Sequence, residues 1–511
     1  MPKENRKLIS VDNIRHSEYY GLQETFDRLY AQRKNGEIFT NLMEIILSRE
    51  NILLAYRNIK ANTGSHTPGT DRQTIRDIGR LTPEEVVDKV RFIVAGSPHG
   101  YRPKPVRRKD IPKPYDPTKS RPLGIPCIWD RLIQQCIKQV MEPICEAKFS
   151  NNSFGFRPNR SVEHAIAKTY RLLNLSHLHY VVEFDIKGFF DNIPHKKLMK
   201  VLNKVIADGT VLDLIWSWLK CGYMEDGKYY NTKAGQPQGG VISPLLANVY
   251  LNELDWELHK AKIYFVRYAD DFLLFCETEE EVTRAGNIAK SVIESLGLEV
   301  AMNKTKVVDF KNDDFDFLGF HFNHWRTSKN GKDYYSIVPT EKSIKTFKKA
   351  IKDKTQRKWT KPKEVWIKDI NPIIVGKTNY FLNVYKALKV FEGRIQTHCV
   401  IHAMSTYLDK MDSYVRQRLR MCMIHKHPTV RKSYGMHYKW NIKFFVCVGL
   451  IPSKWWFYYK MWKTYTIEKY VEYHMRRNNV NMVKRIQILK EQGVEYYTKE
   501  RLKKMGYAFS R

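Results

Sequence analysis

Residues 264–276 read YFVRYADDFLLFC, two adjacent aspartates set between apolar runs that suit short strands. Few foldings satisfy that stretch. Val266, Tyr268, Phe272, Leu274 and Phe275 favour burial as strand residues, and Ala269-Asp270-Asp271 must then form a turn that carries two like charges. A polar turn explains the tetrapeptide YADD by itself. A rigid turn that projects carboxylates toward a hard divalent cation explains it equally, because Mg²⁺ takes oxygen ligands and usually one or two protein carboxylates plus substrate phosphates. The choice depends on a second carboxylate and on a surface for a polyanion.

HYVVEFDIKGFFDNIPH at 179–195 offers the second carboxylate. An apolar strand ends there at Asp185, with Val181, Val182 and Phe184 as core candidates, so a carboxylate at its end needs a partner. Asp191, close to Asn192 and Pro194, reads as a helix N-cap. Further on, GQPQGGVISPLLANVYLNELD (235–255) makes a Gly- and Pro-rich loop followed by a helical apolar pattern from Leu245 to Leu254. Glycines let backbone approach a ligand closely, although many ordinary loops share this composition. The stretch YRPKPVRRKDIPKPYDPTKSRPLGIP (101–126) reads as extended strands and turns. Its Lys113 and Arg121 suit a triphosphate, and a solvated basic hairpin is the alternative.

A chain of 511 residues suggests roughly two to four structural units, and 43% hydrophobic residues suffice for a substantial core. Its 87 Lys and Arg against 54 Asp and Glu leave a net charge of +33, which points to nucleic acid or an acidic membrane surface. The excess is uneven. Residues 341–511 hold 38 Lys and Arg against 12 Asp and Glu, a net of +26, and the first 340 hold 49 against 42. Six of the eleven tryptophans fall in the same third: Trp359, Trp366, Trp440, Trp455, Trp456 and Trp462. Basic residues interleaved with aromatics suit phosphate neutralisation with base stacking, and a helical core with a basic outer face is the competing reading. Arg416, Arg418, Arg420, Arg476 and Arg477 are the candidate RNA contacts. The eight cysteines form no CxxC pair, so no zinc is expected. No apolar run reaches membrane-spanning length and MPKENRKLIS has no apolar signal core, so a soluble, intracellular protein with no membrane partner is expected.

Taken in order, several blocks resemble the reverse transcriptases encoded by group II introns. They are DRLIQQCIKQVMEPICEAKFSNNSFGFRPNRSVEHAI (130–166), FDIKGFFDNIPH, QPQGGVISPLLANVYLNELD, RYADD and FDFLGF (315–320), and the resemblance covers roughly residues 50–325. More loosely, IIVGKTNYFLNVYKAL (373–388) and DSYVRQRLRMCMIHK (412–426) resemble the thumb helices of that family's maturase region. The resemblance implies an α/β right-hand polymerase. Fingers and palm, with an antiparallel palm sheet, would occupy residues 1–335, including an N-terminal extension over about 1–50. A helical thumb and maturase domain would follow over 336–430, then a small basic C-terminal domain of DNA-binding type over 431–511.

The resemblance also implies that Asp185, Asp270 and Asp271 are catalytic and that, with Ile186, they hold two Mg²⁺ ions, Asp271 less directly. Such ions activate a primer 3′-hydroxyl and stabilise the leaving pyrophosphate. Lys113, Arg121, Ile186, Phe190, Gln238 and Lys304 would meet the incoming deoxynucleotide, Phe190 as the bulky residue that screens out a ribose 2′-hydroxyl. The implied partners are a group II intron RNA template, a DNA primer or target, and deoxynucleotides. The implied place is the bacterial cytoplasm, at the nucleoid when the protein is on its DNA target. The loop QGGVISP differs from the Ser-Gln ending typical of diversity-generating retroelement enzymes, and YADD differs from the GDD of viral RNA-dependent RNA polymerases. Many family members end in an HNH nuclease with cysteine pairs. Residues 456–511 contain no cysteine and one histidine, His474, so that nuclease is not expected.

Three functions stay open: an RNA-dependent DNA polymerase that also promotes splicing and retrohoming of its intron, a related enzyme recruited to host defence or CRISPR spacer acquisition, and a non-catalytic RNA-binding maturase. Intact Asp185, Asp270 and Asp271 argue against the third.

Overall fold

Prolines and basic residues crowd 101–126, and the chain there forms an antiparallel pair, β1 (Val106–Lys113) and β2 (Asp116–Ile125). After β3 (Tyr180–Phe184) come β4 (Tyr223–Glu225) and β5 (Lys228–Tyr230), which complete a sheet ordered β2-β1-β4-β5, with β4 parallel to β1. β3 belongs to a second sheet with β6 (Tyr264–Tyr268), β7 (Asp271–Cys276) and β8 (Lys306–Asp309), ordered β6-β7-β3-β8 with every neighbour antiparallel. β9 (Phe315–Phe317), β10 (Phe320–Thr327) and β11 (Asp333–Pro339) form a third, also antiparallel. The computed structural model describes residues 15–96, 100–113, 116–303, 305–327, 333–356, 361–391, 397–427, 429–430 and 434–476.

The chain divides into two compact units, Met1–Asp309 and Phe310–Arg511. This division precedes the boundary near 335 expected from the sequence, because β9–β11 pack with the helices that follow them. Phe320 stacks on Tyr380 at 5.4 Å, and the Tyr380 hydroxyl donates to the Leu318 carbonyl at 2.6 Å.

Two buried helices carry the first unit. In Ile128–Glu146, Ile128, Leu132, Ile133, Cys136, Ile137, Val140, Met141 and Ile144 cover more than one face, and all are buried. Ser243–Lys260 starts with Pro244 in its first turn, where the missing N–H costs nothing, and buries Leu245, Leu246, Val249, Tyr250, Leu251 and Leu254. One core joins both helices to Val182 and Phe184 of β3 and to Phe272 and Leu274 of β7.

The second unit is mainly helical, with its longest helices at Glu341–Lys354, Lys363–Lys389 and Thr397–Lys426. Its tryptophans divide between core and surface. Trp366 and Trp440 are core residues, whereas Trp462 is 48% exposed; Trp359 lies outside the described residues. The arginines need correction. Arg420 is buried, its Nε donating to the Trp440 carbonyl at 3.0 Å, and Arg418 donates through Nη2 to the Thr355 carbonyl at 2.5 Å. These two bind helix to loop rather than face a polyanion. Arg416 is half-buried, Arg476 is exposed beside Glu472, and Arg477 lies outside the described residues. Among the described residues no helix is long and apolar enough to cross a membrane.

One buried acid in the first unit is unusual. The Tyr101 hydroxyl donates to Asp130 at 2.6 Å and accepts from Trp218 Nε1 at 2.7 Å, and burial pushes the Asp130 carboxyl up to about 6. A carboxyl whose folded pKa is raised contributes stability that is fully present below its unfolded pKa and lost as pH rises through about 6. Asp130→Asn keeps an acceptor for Tyr101 and cannot ionise. Relative to wild type it should gain stability at both pH values, by about 1.4 kcal/mol more at pH 8 than at pH 5. Thermal melts at the two pH values test this, and an equal gain at both would refute it.

Candidate active site

β6 and β7 pair with Tyr268 opposite Asp271, which leaves Ala269 and Asp270 as a two-residue turn. Ala269 has φ +60°, a left-handed conformation that a residue with a side chain keeps only when its surroundings hold it. Arg267 does much of the holding. It is 1% exposed, and its Nη1 donates to the Ala269 carbonyl at 2.9 Å and to Asn248 Oδ1 at 3.1 Å. Its Nε and Nη2 donate to the two oxygens of buried Asp255 at 2.7 and 2.5 Å. Asn248 in turn donates to the Gly155 carbonyl at 2.8 Å. Residues 152–154 run along β6: Phe154 N donates to the Arg267 carbonyl and Arg267 N to the Asn152 carbonyl, each at 2.8 Å. A Cβ on Gly155 would overlap the Ala269 nitrogen, so only glycine lets this loop reach the turn.

The other acid comes from the next strand. β3 pairs with β7 so that Phe184 lies opposite Phe272, their rings stacked at 4.9 Å, and the chain passes directly from Phe184 to Asp185. Ala301 N donates to the Asp185 carbonyl at 2.8 Å and Lys187 N to the Glu299 carbonyl at 2.9 Å, pairing Ile186 with Val300. Burial pushes the Asp270 carboxyl up, the charge of Asp185 pushes it further, and Arg121 and Arg267 pull it down. Two half-buried acids, with Asp185 raising the pKa of Asp270 and both offering hard oxygen donors, fit a divalent cation such as Mg²⁺. Asp271 is exposed at the start of β7. Among the described residues no three His, Cys, Asp or Glu side chains gather into a metal-holding group, so the fit is to a site of two carboxylates completed by substrate phosphates.

The remaining candidates are spread around this pair. Phe190 is half-buried in the short helix Phe189–Asn192, which the chain enters through Gly188 at φ +53°. Asp191 is inside that helix and does not cap it. Its carboxylate instead accepts from the Gln238 carboxamide at 3.3 and 3.4 Å, and burial raises its pKa. Gln236 N donates to the Phe190 carbonyl at 2.8 Å, and Gly124 N donates to the Gln238 carbonyl at 2.9 Å, so the loop is tied both to Phe190 and to β2. Arg121 is exposed on β2 and acts electrostatically on Asp270. Ile186 is 2% exposed in the core, so only its backbone is available to a metal or nucleotide. Lys113 ends β1 with its side chain outside the described residues, and Lys304 lies wholly outside them.

Several known proteins resemble this chain. The family model for reverse transcriptase (RNA-dependent DNA polymerase) matches residues 111–322. Protein YkfC of Escherichia coli K12 is 34% identical over 343 residues, 59% of this chain and 88% of that protein. Group II intron-encoded protein LtrA of Lactococcus lactis subsp. cremoris is 37% identical over 265 residues, 51% of this chain and 43% of that protein. A putative COX1/OXI3 intron 1 protein of Saccharomyces cerevisiae is 27% identical over 393 residues, 65% and 44% of the two chains. The chain thus spans less than half the length of these two intron proteins.

The buried fork under the turn has a measurable consequence. Arg267→Met strands Asp255 without a partner and should cost about 3–5 kcal/mol of stability. Lys260→Met breaks the exposed pair with Glu257 and should cost less than about 1 kcal/mol. Denaturant unfolding of both variants decides the matter, and equal losses would mean that the buried pair does not anchor the turn.

Proposed function

This chain belongs to the group II intron-encoded reverse transcriptase and maturase family, and on that premise we propose that it extends a DNA primer on an RNA template at Asp185 and Asp270, with two Mg²⁺ ions. The observation that supports the reading most is the meeting of those two half-buried acids, whose repulsion bound cations would relieve. When bound, the ions would supply activation of the primer 3′-hydroxyl and charge neutralisation at the leaving pyrophosphate.

The chain's own part is positional. Asp185 is held through the backbone of 299–301, and Asp270 through the turn that Arg267 braces. Arg121 offers a guanidinium fork to phosphates, aided by Lys113 and Lys304. The Ile186 backbone is a further contact for ion and nucleotide, and Asp271 a less direct one. Gln238, oriented by Asp191, lines the deoxynucleotide pocket, and the Phe190 ring excludes a 2′-hydroxyl.

Fingers and palm run to about residue 335, a helical thumb and maturase region over 336–430, and a basic DNA-binding segment over 431–511. The net charge of +26 over residues 341–511 binds intron RNA, which serves splicing and retrohoming in the bacterial cytoplasm and at the nucleoid.

Two variants test the chemistry. Asp270→Ala should lower primer extension on RNA by at least about 100-fold while RNA affinity stays unchanged; extension at the wild-type rate would remove Asp270 from the site. Phe190→Ala should raise ribonucleotide relative to deoxynucleotide incorporation by about tenfold or more, a barrier change of about 1.4 kcal/mol. An unchanged ratio would take Phe190 out of sugar selection.

A further inference from the structure

Behind the loop at 235–240 lies a cavity of about 330 Å³, lined among others by Pro122, Gly124, Trp218, Tyr223, Gln236 and Gln238. Side chains alternate along a strand, so Pro122 and Gly124 stand on the face of β2 opposite Arg121. The cavity is therefore on the other side of β2 from the cation that acts on Asp270. Close backbone approaches fix its walls. A Cβ on Gly124 would come within 2.9 Å of Pro237 Cβ, one on Gly239 within 2.5 Å of the Gly124 carbonyl, and one on Gly235 within 2.5 Å of the Asp191 carbonyl.

Gln236 is the anomaly in this wall. It is 3% exposed, and neither its Oε1 nor its Nε2 has a hydrogen-bond partner among the described residues. A buried polar group left unpaired costs about 1–3 kcal/mol, which an apolar side chain of the same size would avoid. The Gln236 backbone is committed to Phe190, so the side chain stays in place. A carboxamide offers a donor beside an acceptor and is matched by a planar edge that shows an acceptor beside a donor. Adenine has such an edge in N7 and its 6-amino group, and a glutamine side chain pairs with it through two hydrogen bonds. Trp218, held through Nε1 by Tyr101, and Tyr223 supply aromatic walls, and the volume suits a nucleoside.

We propose that this cavity is a nucleobase site, distinct from the incoming-nucleotide position, that takes an adenine-type edge on Gln236. The base belongs either to a free nucleoside or nucleotide or to an unpaired residue of bound RNA. Because the same loop carries Gln238 and holds Phe190, an occupant would set the position of both.

The probe is labelled adenosine, bound to the full chain in equilibrium dialysis. Wild type should bind it, and Gln236→Leu should bind at least about tenfold more weakly while melting at or above the wild-type temperature. Should Gln236→Leu fail to fold, Ala234→Trp, which narrows the cavity and leaves Gln236 intact, should show the same loss. Binding should persist when saturating dTTP and a chain-terminated primer on a template adenine fill the incoming-nucleotide position. Displacement of adenosine by a short oligo(A) RNA would assign the site to RNA, and displacement by AMP alone would assign it to free nucleotide; both support the proposal. No binding at millimolar adenosine, or equal binding by Gln236→Leu, would overturn it and leave the carboxamide to water. Displacement by dTTP would overturn it by placing adenosine at the polymerase site.

Discussion

The first unit depends on one buried charge. Arg267 sits in the middle of an apolar strand, where desolvating a guanidinium is costly unless every donor is matched to an acceptor. Here the match is close to complete: both oxygens of Asp255, the amide oxygen of Asn248 and the carbonyl of Ala269. The ion pair therefore acts less as a source of net stability than as a device for register. It joins the helix Ser243–Lys260 to β6, and through the Ala269 carbonyl it holds a turn that alanine would not adopt alone. Asn248 and Gly155 extend the same network to a loop more than a hundred residues upstream. A carboxylate on such a turn moves little, and that is what a metal with strict geometric demands needs from its ligands.

The two units divide the electrostatic labour. The first is nearly balanced in charge and brings Asp185 close enough to Asp270 to raise its pKa. The second carries most of the positive excess, yet part of that excess is inside. Arg420 and Arg418 are used up on backbone carbonyls, as Lys454 is on Asp409 at 2.7 Å. Net charge is thus a fair guide to the kind of partner and a poor guide to which residues touch it.

What could be read in advance follows from the range of each interaction. The hairpin at 264–276 was legible because period-two alternation and a like-charge turn are local patterns, and the place of Asp185 because an apolar strand ends at it. Roles for Phe190 and Gln238 came from resemblance, and the geometry adds their tie through Asp191 and the Gln236 backbone. Asp191 was misread as a cap because its true partner is 47 residues away. Arg267, Asn248, Gly155 and the segment 299–301 gave no local signal at all, since each matters only through a contact made across the fold. The compact division after Asp309 has no local signal, because strands β9–β11 have the same alternation as those of the first unit and differ only in what they pack against.

The order β6-β7-β3-β8 has a consequence for synthesis on the ribosome. β3 emerges early, but both of its sheet neighbours lie far downstream, at 271–276 and 306–309. Until those arrive, an apolar strand rich in Val and Phe has two open edges, the state most prone to pairing with the wrong chain. Loop-closure entropy must be met before such non-local pairing can reward it, which makes the central sheet slow to form. The carboxylates therefore come together late, after nearly the whole first unit has left the exit tunnel, and a nascent chain passes a long interval in which it holds charge and apolar surface but no site.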